Sequence, residues 1–415
     1  MRDKIWLWIA RLWRRPGIRI SSFGAAALLV ALMAPLVDGL IPQALVDRFS
    51  RDAVLPILNI LASSMLAVTT FSLGNMVQAF RSAAGEATPR VYQLLMQDMT
   101  TLNVLSVFVG AFLFSLMSIV MFRAGFYSES AAVIIFGLTM ICIVLIVVAI
   151  LRWIAHLSQL GSLHYTLSMV ENAAKPPLER LAKMPNHGAH AASNSRMAPQ
   201  DSTALRSPRT GFVQHISLAG LNDHLAQSGA TLWIATPPAS WVLKNTPLAY
   251  VEGDSDPETL LENFTLGDDR TVEQDARFGL VIMSEIASRA LSSGVNDPGT
   301  VVDVIHRTER ILWTLGDQMM DDAQDTEIHY DHIIMGTVSA DDLIGDAYAA
   351  IMADGGDRFD VMAAILRALT NLSQSEWPDL ASGAKDTRAK ALSIIERRVE
   401  DPEAVQKLRD LANPT

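Results

Sequence analysis

Cysteine is almost absent from this chain, and so are the short motifs that many enzymes carry. The single cysteine, Cys142, lies inside an apolar run, so no intramolecular disulfide can form, which fits a reducing compartment. There is no Walker loop, no dinucleotide-binding glycine pattern after a strand, no Cys-x-x-Cys, no His-Glu-x-x-His and no Gly-x-Ser-x-Gly. Nothing therefore points to an enzyme, a cofactor or a metal centre, although catalytic groups can also assemble from distant positions. Charge is missing as well wherever the sequence turns strongly apolar. No Asp, Glu, Lys, Arg or His lies deep in the long apolar runs, and Asp38 is near an end. That argues against a proton relay or pump built on intramembrane charges.

What is present is very unevenly distributed. Half of the 415 residues are hydrophobic, which a soluble core could absorb, but four long apolar stretches crowd between Ile20 and Trp153. They fall at about 20–40, 54–77, 104–122 and 131–150, each close to the ~20 residues that cross ~30 Å of hydrocarbon. Backbone groups in a bilayer must be satisfied within the segment, so these are expected to be helices of a transmembrane domain, 20–153. Before them, 1–19 is basic, with Arg2, Lys4, Arg11, Arg14, Arg15 and Arg19 among Trp6, Trp8 and Trp13, and reads as an interfacial segment. Those charges place the N terminus in the cytoplasm, and an even number of spans returns the C terminus there.

The second span is the polar one. At 100° per residue Asn59, Ser63, Thr70 and Gly74 fall within about 60° of one another, a stripe that either lines a wet path or packs against another helix. After it, Thr88 suits an N-cap and Pro89 the first helical position, so one helix is expected from there through Asp98 into the third span.

Residues 1–153 hold 12 Lys/Arg against 7 Asp/Glu, and the remainder 21 against 37. A soluble part this acidic is a poor partner for nucleic acid. It reads as α+β: a helical connector at 154–184, a flexible linker at 185–209, a small β-rich module at 210–252 and a helical domain at 253–415. In the last, one long helix is expected over Thr271–Leu291, a turn at Gly294–Thr300, a helix to about Leu315, and others at 339–353, 357–372 and 386–399.

Several segments together resemble a bacterial membrane-protein family, the domain of unknown function 2254. They are Thr88-Pro89-Arg90-Val91 with Asp98, where the family usually has Ser-Pro-Arg; Gly110 and Phe112; and Gly211-Phe212-Val213-Gln214, where it prefers Tyr at the second place. The sharpest are Thr271, Gln274-Asp275, Phe278-Gly279, Ser288 to Ser292 and Gly294-Val295-Asn296-Asp297-Pro298. The resemblance implies a multi-span protein of the bacterial inner membrane and supplies no activity, substrate or cofactor.

The residues singled out for chemistry are Pro89, Arg90, Asp98, Gln274, Asp275, Arg289, Asn296, Asp297 and Pro298. Gln274 and Asp275 stand about four turns before Arg289 on the expected helix, too far to touch along it. Asn296-Asp297-Pro298 also reads plainly as an Asx turn capping the next helix, with Gly294 supplying a positive φ. His329-Tyr330-Asp331-His332, preceded by Asp321, Asp322, Asp325 and Glu327, has the composition of a metal cluster but no ligand spacing, and reads as a solvated acidic loop. Two functions compete. One is an oligomeric channel or transport protein whose stripe lines the path, with a cytoplasmic regulatory domain. The other is a membrane-anchored sensor or scaffold. The expected partners are the lipid bilayer and further copies of the same chain; no ligand is specified.

Overall fold

A computed structural model describes residues 16–33, 51–96, 98–192, 198–321 and 328–412. The chain forms two compact units, Met1–Thr166 and Leu167–Thr415.

The first unit is helical. Helix α1 is Pro16–Met33, α2 Arg51–Glu86, α3 Pro89–Leu95, α4 Met99–Arg123 and α5 Glu129–Leu157. Three segments are long and apolar enough to cross a membrane: Ala53–Ala83, Met99–Arg123 and Glu129–Leu157. The first span was expected at about 20–40; the apolar helix found there, Gly17–Met33, covers its described part and is shorter than the other three. Residues 34–40 of that span, and 1–15 of the basic segment, lie outside the described residues.

Helix α4 is the hub, with α1, α2 and α5 packed on it. Half of its apolar window is buried, against 22% for α2 and α5, so the outer helices keep a broad apolar face turned away from the bundle. Close packing explains Gly24 on α1, where an added Cβ would sit 2.6 Å from Leu113 Cδ1 on α4. Arg19 donates to Asn103 Oδ1 at 2.6 Å, and the Tyr127 hydroxyl donates to the Ala31 carbonyl at 2.5 Å. These contacts tie like ends of α1 and α4 together, so the two helices run parallel.

The helix expected to continue from Thr88 into the third span is broken. Asp98 is extended (φ −62°, ψ 112°), and its carboxylate accepts the Thr101 N–H at 2.8 Å, so it caps α4 and separates it from α3. Thr88 precedes Pro89 as predicted but makes no side-chain cap bond.

Helix α6, Leu163–Lys183, leads into the second unit and continues through Pro176 and Pro177. The stretch 185–209, read as a linker, contains a 3-10 turn (Pro185–Gly188) and strands β1 (Ala189–Ala191) and β2 (Thr203–Arg206). Then follow β3 Gly211–Ile216, α7 Leu218–Ser228, β4 Thr231–Ile234, β5 Trp241–Val242, β6 Pro247–Glu252, α8 Pro257–Leu261 and β7 Phe264–Gly267. The helices α9 Phe278–Leu291 and α10 Pro298–Asp321, strand β8 Tyr330–Met335, and helices α11 Ala340–Gly355, α12 Phe359–Leu372, α13 Pro378–Arg398 and α14 Pro402–Ala412 complete the unit.

The strands form a five-stranded sheet, β1-β8-β4-β6-β2, and a three-stranded one, β5-β3-β7. Strands β1, β8 and β4 are parallel to one another, and the remaining pairings are antiparallel. The module is thus wider than 210–252 and draws one strand from the segment read as an acidic loop. That strand qualifies because Ile333, Ile334 and Met335 are buried behind the polar His329–His332; β1 is too short for alternation to reveal. Asp322, Asp325 and Glu327 lie outside the described residues.

Helix α9 starts seven residues later than Thr271, because the Asp275 carboxylate accepts the N–H groups of Arg277 (3.0 Å) and Phe278 (3.1 Å) and so fixes the first turn there. Helix α13 begins at Pro378 rather than near 386, and α14 was not anticipated.

Candidate functional site

The stripe on α2 is exposed. Asn59, Ser63, Thr70 and Gly74 lie on the surface of the helical unit, while Leu58, Leu61 and Met65 are buried. The Ser63 hydroxyl donates to the Asn59 carbonyl and the Thr70 hydroxyl to Leu66, each at 2.9 Å, so both are satisfied within their own helix. Asn59 Nδ2 donates to the Leu55 carbonyl at 2.9 Å, and its amide oxygen makes no hydrogen bond among the described residues.

Asp98 gathers a cluster that the sequence does not announce. His156 Nε2, in the last turn of α5, lies 2.7 Å from Asp98 Oδ2 and 3.2 Å from Thr101 Oγ1, and the Tyr165 hydroxyl donates to Asp98 Oδ1 at 3.5 Å. Burial alone would raise the Asp98 carboxyl; bonds from His156 and Thr101 outweigh it and hold the group below the usual carboxylate range. Burial, with the Asp98 charge beside it, pushes the Tyr165 phenol up to about 12. Pro89 is the first residue of α3 and Arg90, next to it, is exposed.

In the second unit Gln274 and Asp275 are not on a helix. Gln274 clamps a strand: its Nε2 donates to the Ile216 carbonyl at 3.1 Å and its Oε1 accepts the Ile216 N–H at 2.8 Å. Asp275, 4% exposed, takes a two-pronged bond from Arg270 besides capping α9. Arg277 pairs with Asp346 and Asp342 on α11. Arg270, Gln274, Asp275, Arg277 and Asp342 line a cavity of about 500 Å³, together with Asn186 and His187 from the 3-10 turn, Ile234, Ala235 and Pro237 to Ser240 at the end of β4, and Met335 to Val338 at the end of β8. Arg289 is exposed on α9 and does not line it.

Asn296-Asp297-Pro298 is the turn the sequence predicts, with one correction. The left-handed residue is Asn296 (φ 50°), not Gly294. Asp297 accepts the Thr300 N–H at 3.2 Å and hydroxyl at 2.6 Å, which lowers its carboxyl, while Arg358 donates to Asn296 Oδ1 at 2.5 Å.

Sequence reasoning missed the charged node Glu171. This residue, 4% exposed, accepts from Arg307 (2.9 Å) and Arg310 (2.7 Å) and pairs with Lys175 (3.2 Å), joining α6 to α10. Only the spacing Glu171–Lys175, one helical turn, was visible beforehand. Among the described residues no group of three His, Cys, Asp or Glu is placed to hold a metal ion.

The model of a family described as predicted membrane protein, DUF2254, matches residues 10–371 of the chain. Uncharacterised proteins of Mycobacterium tuberculosis and Mycobacterium bovis are similar, at 22% identity over 320 residues, covering 73% of this chain and 61% of theirs. The chain thus spans less than two thirds of the length of these curated relatives. No solved structure matches. The chain belongs to the DUF2254 family of membrane proteins.

Proposed function

We propose that this DUF2254 member works as an oligomer in the bacterial inner membrane, with the polar face of α2 lining a path between copies and the soluble unit regulating it. One observation carries the reading: Asn59, in a helix long enough to cross the membrane, turns its carboxamide away from its own bundle. An amide facing hydrocarbon with an unmet acceptor is costly, whereas water or a neighbouring copy satisfies it. Ser63 and Thr70 extend the same face at little cost, because their hydroxyls bond back to their own helix. Four spans would be few for a monomeric carrier, so a path between copies is the simpler arrangement. The parallel course of α1 and α4 supports four passes with both termini on one side, and the basic N-terminal flank makes that side the cytoplasm.

The oligomeric mass of the detergent-purified chain and solute flux in liposomes test this directly. At least three copies per particle and a flux lost in Ser63→Leu are expected; a monodisperse monomer without flux contradicts the proposal. A second reading, the membrane-anchored sensor, draws on the cavity of the soluble unit and requires no flux at all.

A further inference from the structure

We propose that the cavity of the second unit is a binding site for a small zwitterion of amino-acid or dipeptide size. The inference needs only the soluble unit and stands whether or not the membrane unit conducts.

Its place in the fold is the first argument. Residues from Ile234 onward leave the carboxyl end of β4, and those from Met335 onward leave the carboxyl end of β8. These strands are parallel neighbours. Crevices outside the carboxyl ends of parallel strands are where open α/β sheets hold ligands, because the loops diverge there and leave a gap that no element fills. About 500 Å³ is enough for a small molecule and several waters.

Strain is the second. Among the described residues, five that are not glycine have a positive φ, and three of them line this cavity: Asn186 (56°), His187 (55°) and Ala239 (73°). The alanine side chain offers no hydrogen bond to offset that conformation, which is held by the Ala239 N–H donating to the Val213 carbonyl at 2.8 Å. Backbone strain persists where the surroundings impose it, and such places concentrate at ligand sites.

An unmet polar atom is the third. The amide oxygen of Asn186, a residue 9% exposed, is buried without a partner. Buried acceptors in native structures almost always have a donor, so a ligand N–H or O–H is the natural complement.

Charge selects the class. The walls carry two guanidinium groups, Arg270 and Arg277, and two carboxylates, Asp275 and Asp342, and so are balanced. Burial and the nearby Arg180 push the His187 ring below its ordinary value, which disfavours a third positive charge there. Arg270 uses Nε and Nη2 on Asp275, which leaves Nη1 for an acceptor. Asp342 pairs with Arg277 through Oδ1 and accepts the Ser339 hydroxyl at Oδ2, and its half-exposed carboxylate keeps a lone pair for one further donor. A net anion meets Asp342 and its neighbour Asp346; a net cation meets both guanidinium groups. A zwitterion finds a partner at each end: its carboxylate at the free guanidinium N–H groups, its ammonium at Asp342 and the Asn186 oxygen. Ile234, Pro238 and Met335 supply an apolar wall for its side chain.

The test uses the full chain in detergent and reads the shift in Tm, followed by calorimetric titration. The probes are the twenty α-amino acids and a set of glycyl dipeptides, with orthophosphate, citrate and putrescine as charged comparisons. At least one zwitterion is expected to raise Tm saturably by several degrees, and the charged comparisons are not. Asn186→Gly keeps the left-handed backbone and removes the amide, so affinity should fall at least tenfold. Ala235→Trp, placed at an exposed lining position, should abolish the shift without lowering the unliganded Tm; it decides the matter if the glycine variant fails to fold. No shift with any zwitterion, a shift that survives in Ala235→Trp, or saturable binding of orthophosphate, citrate or putrescine in place of zwitterions overturns the proposal. None of these outcomes depends on flux, so the site and the membrane path fail separately.

Discussion

Ala239 holds φ at +73°, a conformation that costs a residue with a Cβ about 1–2 kcal/mol. Ala239→Gly is therefore expected to leave stability unchanged within about 1 kcal/mol, the relief of strain offsetting the extra freedom of the unfolded chain. Ala239→Val should cost more than about 1 kcal/mol, since a β-branched residue tolerates positive φ worst; denaturant titration separates the two. A second residue-scale prediction concerns acid. The Asp98 carboxyl is held low by His156 and Thr101, so its contribution is present above the unfolded carboxylate value of about 3.9 and is lost as pH falls through the folded one. Asp98→Asn, which still caps α4, should flatten the loss of Tm below about pH 4. Asp98→Ala should destabilise at neutral pH by about 1–3 kcal/mol, because the cap goes and His156 loses its carboxylate partner. An unaltered acid limb in Asp98→Asn would contradict this account. At this scale the sequence is readable where the chemistry is local. Asp297 is visible as a cap from its turn context, and Thr88-Pro89 marks a helix start. His156 lies 58 residues from Asp98, and Ile216 lies 58 from Gln274, and no local spacing reveals either pairing.

Among the elements, the packing of α9 against α6 turns on one glycine. An added Cβ at Gly279 would lie 2.3 Å from Ala174 Cβ and 2.9 Å from its Cα, and backbone cannot rotate away. Gly279→Ala is expected to cost about 1–3 kcal/mol, with part recovered in the double variant carrying Ala174→Gly; no recovery would mean that the two helices do not meet there. Glu171 holds the same helix to α10. Glu171→Ala leaves Arg307, 6% exposed, short of a counter-charge and should cost up to about 3 kcal/mol, Asp303 retaining part of the pairing. Long apolar or amphipathic helices were legible because their period is carried by many residues. Their starts were not: Asp275 and Asp98 each set a boundary by taking backbone N–H groups, and an acidic residue inside a helical pattern looks the same whether it caps or merely faces water. The short strands β1 and β8 exist only through their pairing with each other and with β4, which is tertiary information.

The whole molecule divides into a helical unit with membrane-length segments and a mixed unit with a cavity, and that division follows the change in composition near Trp153. Reporter fusions test the passage of the chain: positions in 81–90 and the C terminus should read cytoplasmic, and Tyr127 external, whereas an external C terminus would remove the four-pass arrangement. The central claim is that the α2 face meets water. Single cysteines at Asn59, Ser63 and Thr70 in a Cys142→Ala background should react with a small membrane-impermeant thiol reagent. Cysteines at Met65, buried in the bundle, and Phe71, exposed on the apolar side, should not. Reaction confined to the polar face is the result this account predicts; protection at Asn59, Ser63 and Thr70 equal to that at Phe71, in liposomes that show the same topology, would contradict it.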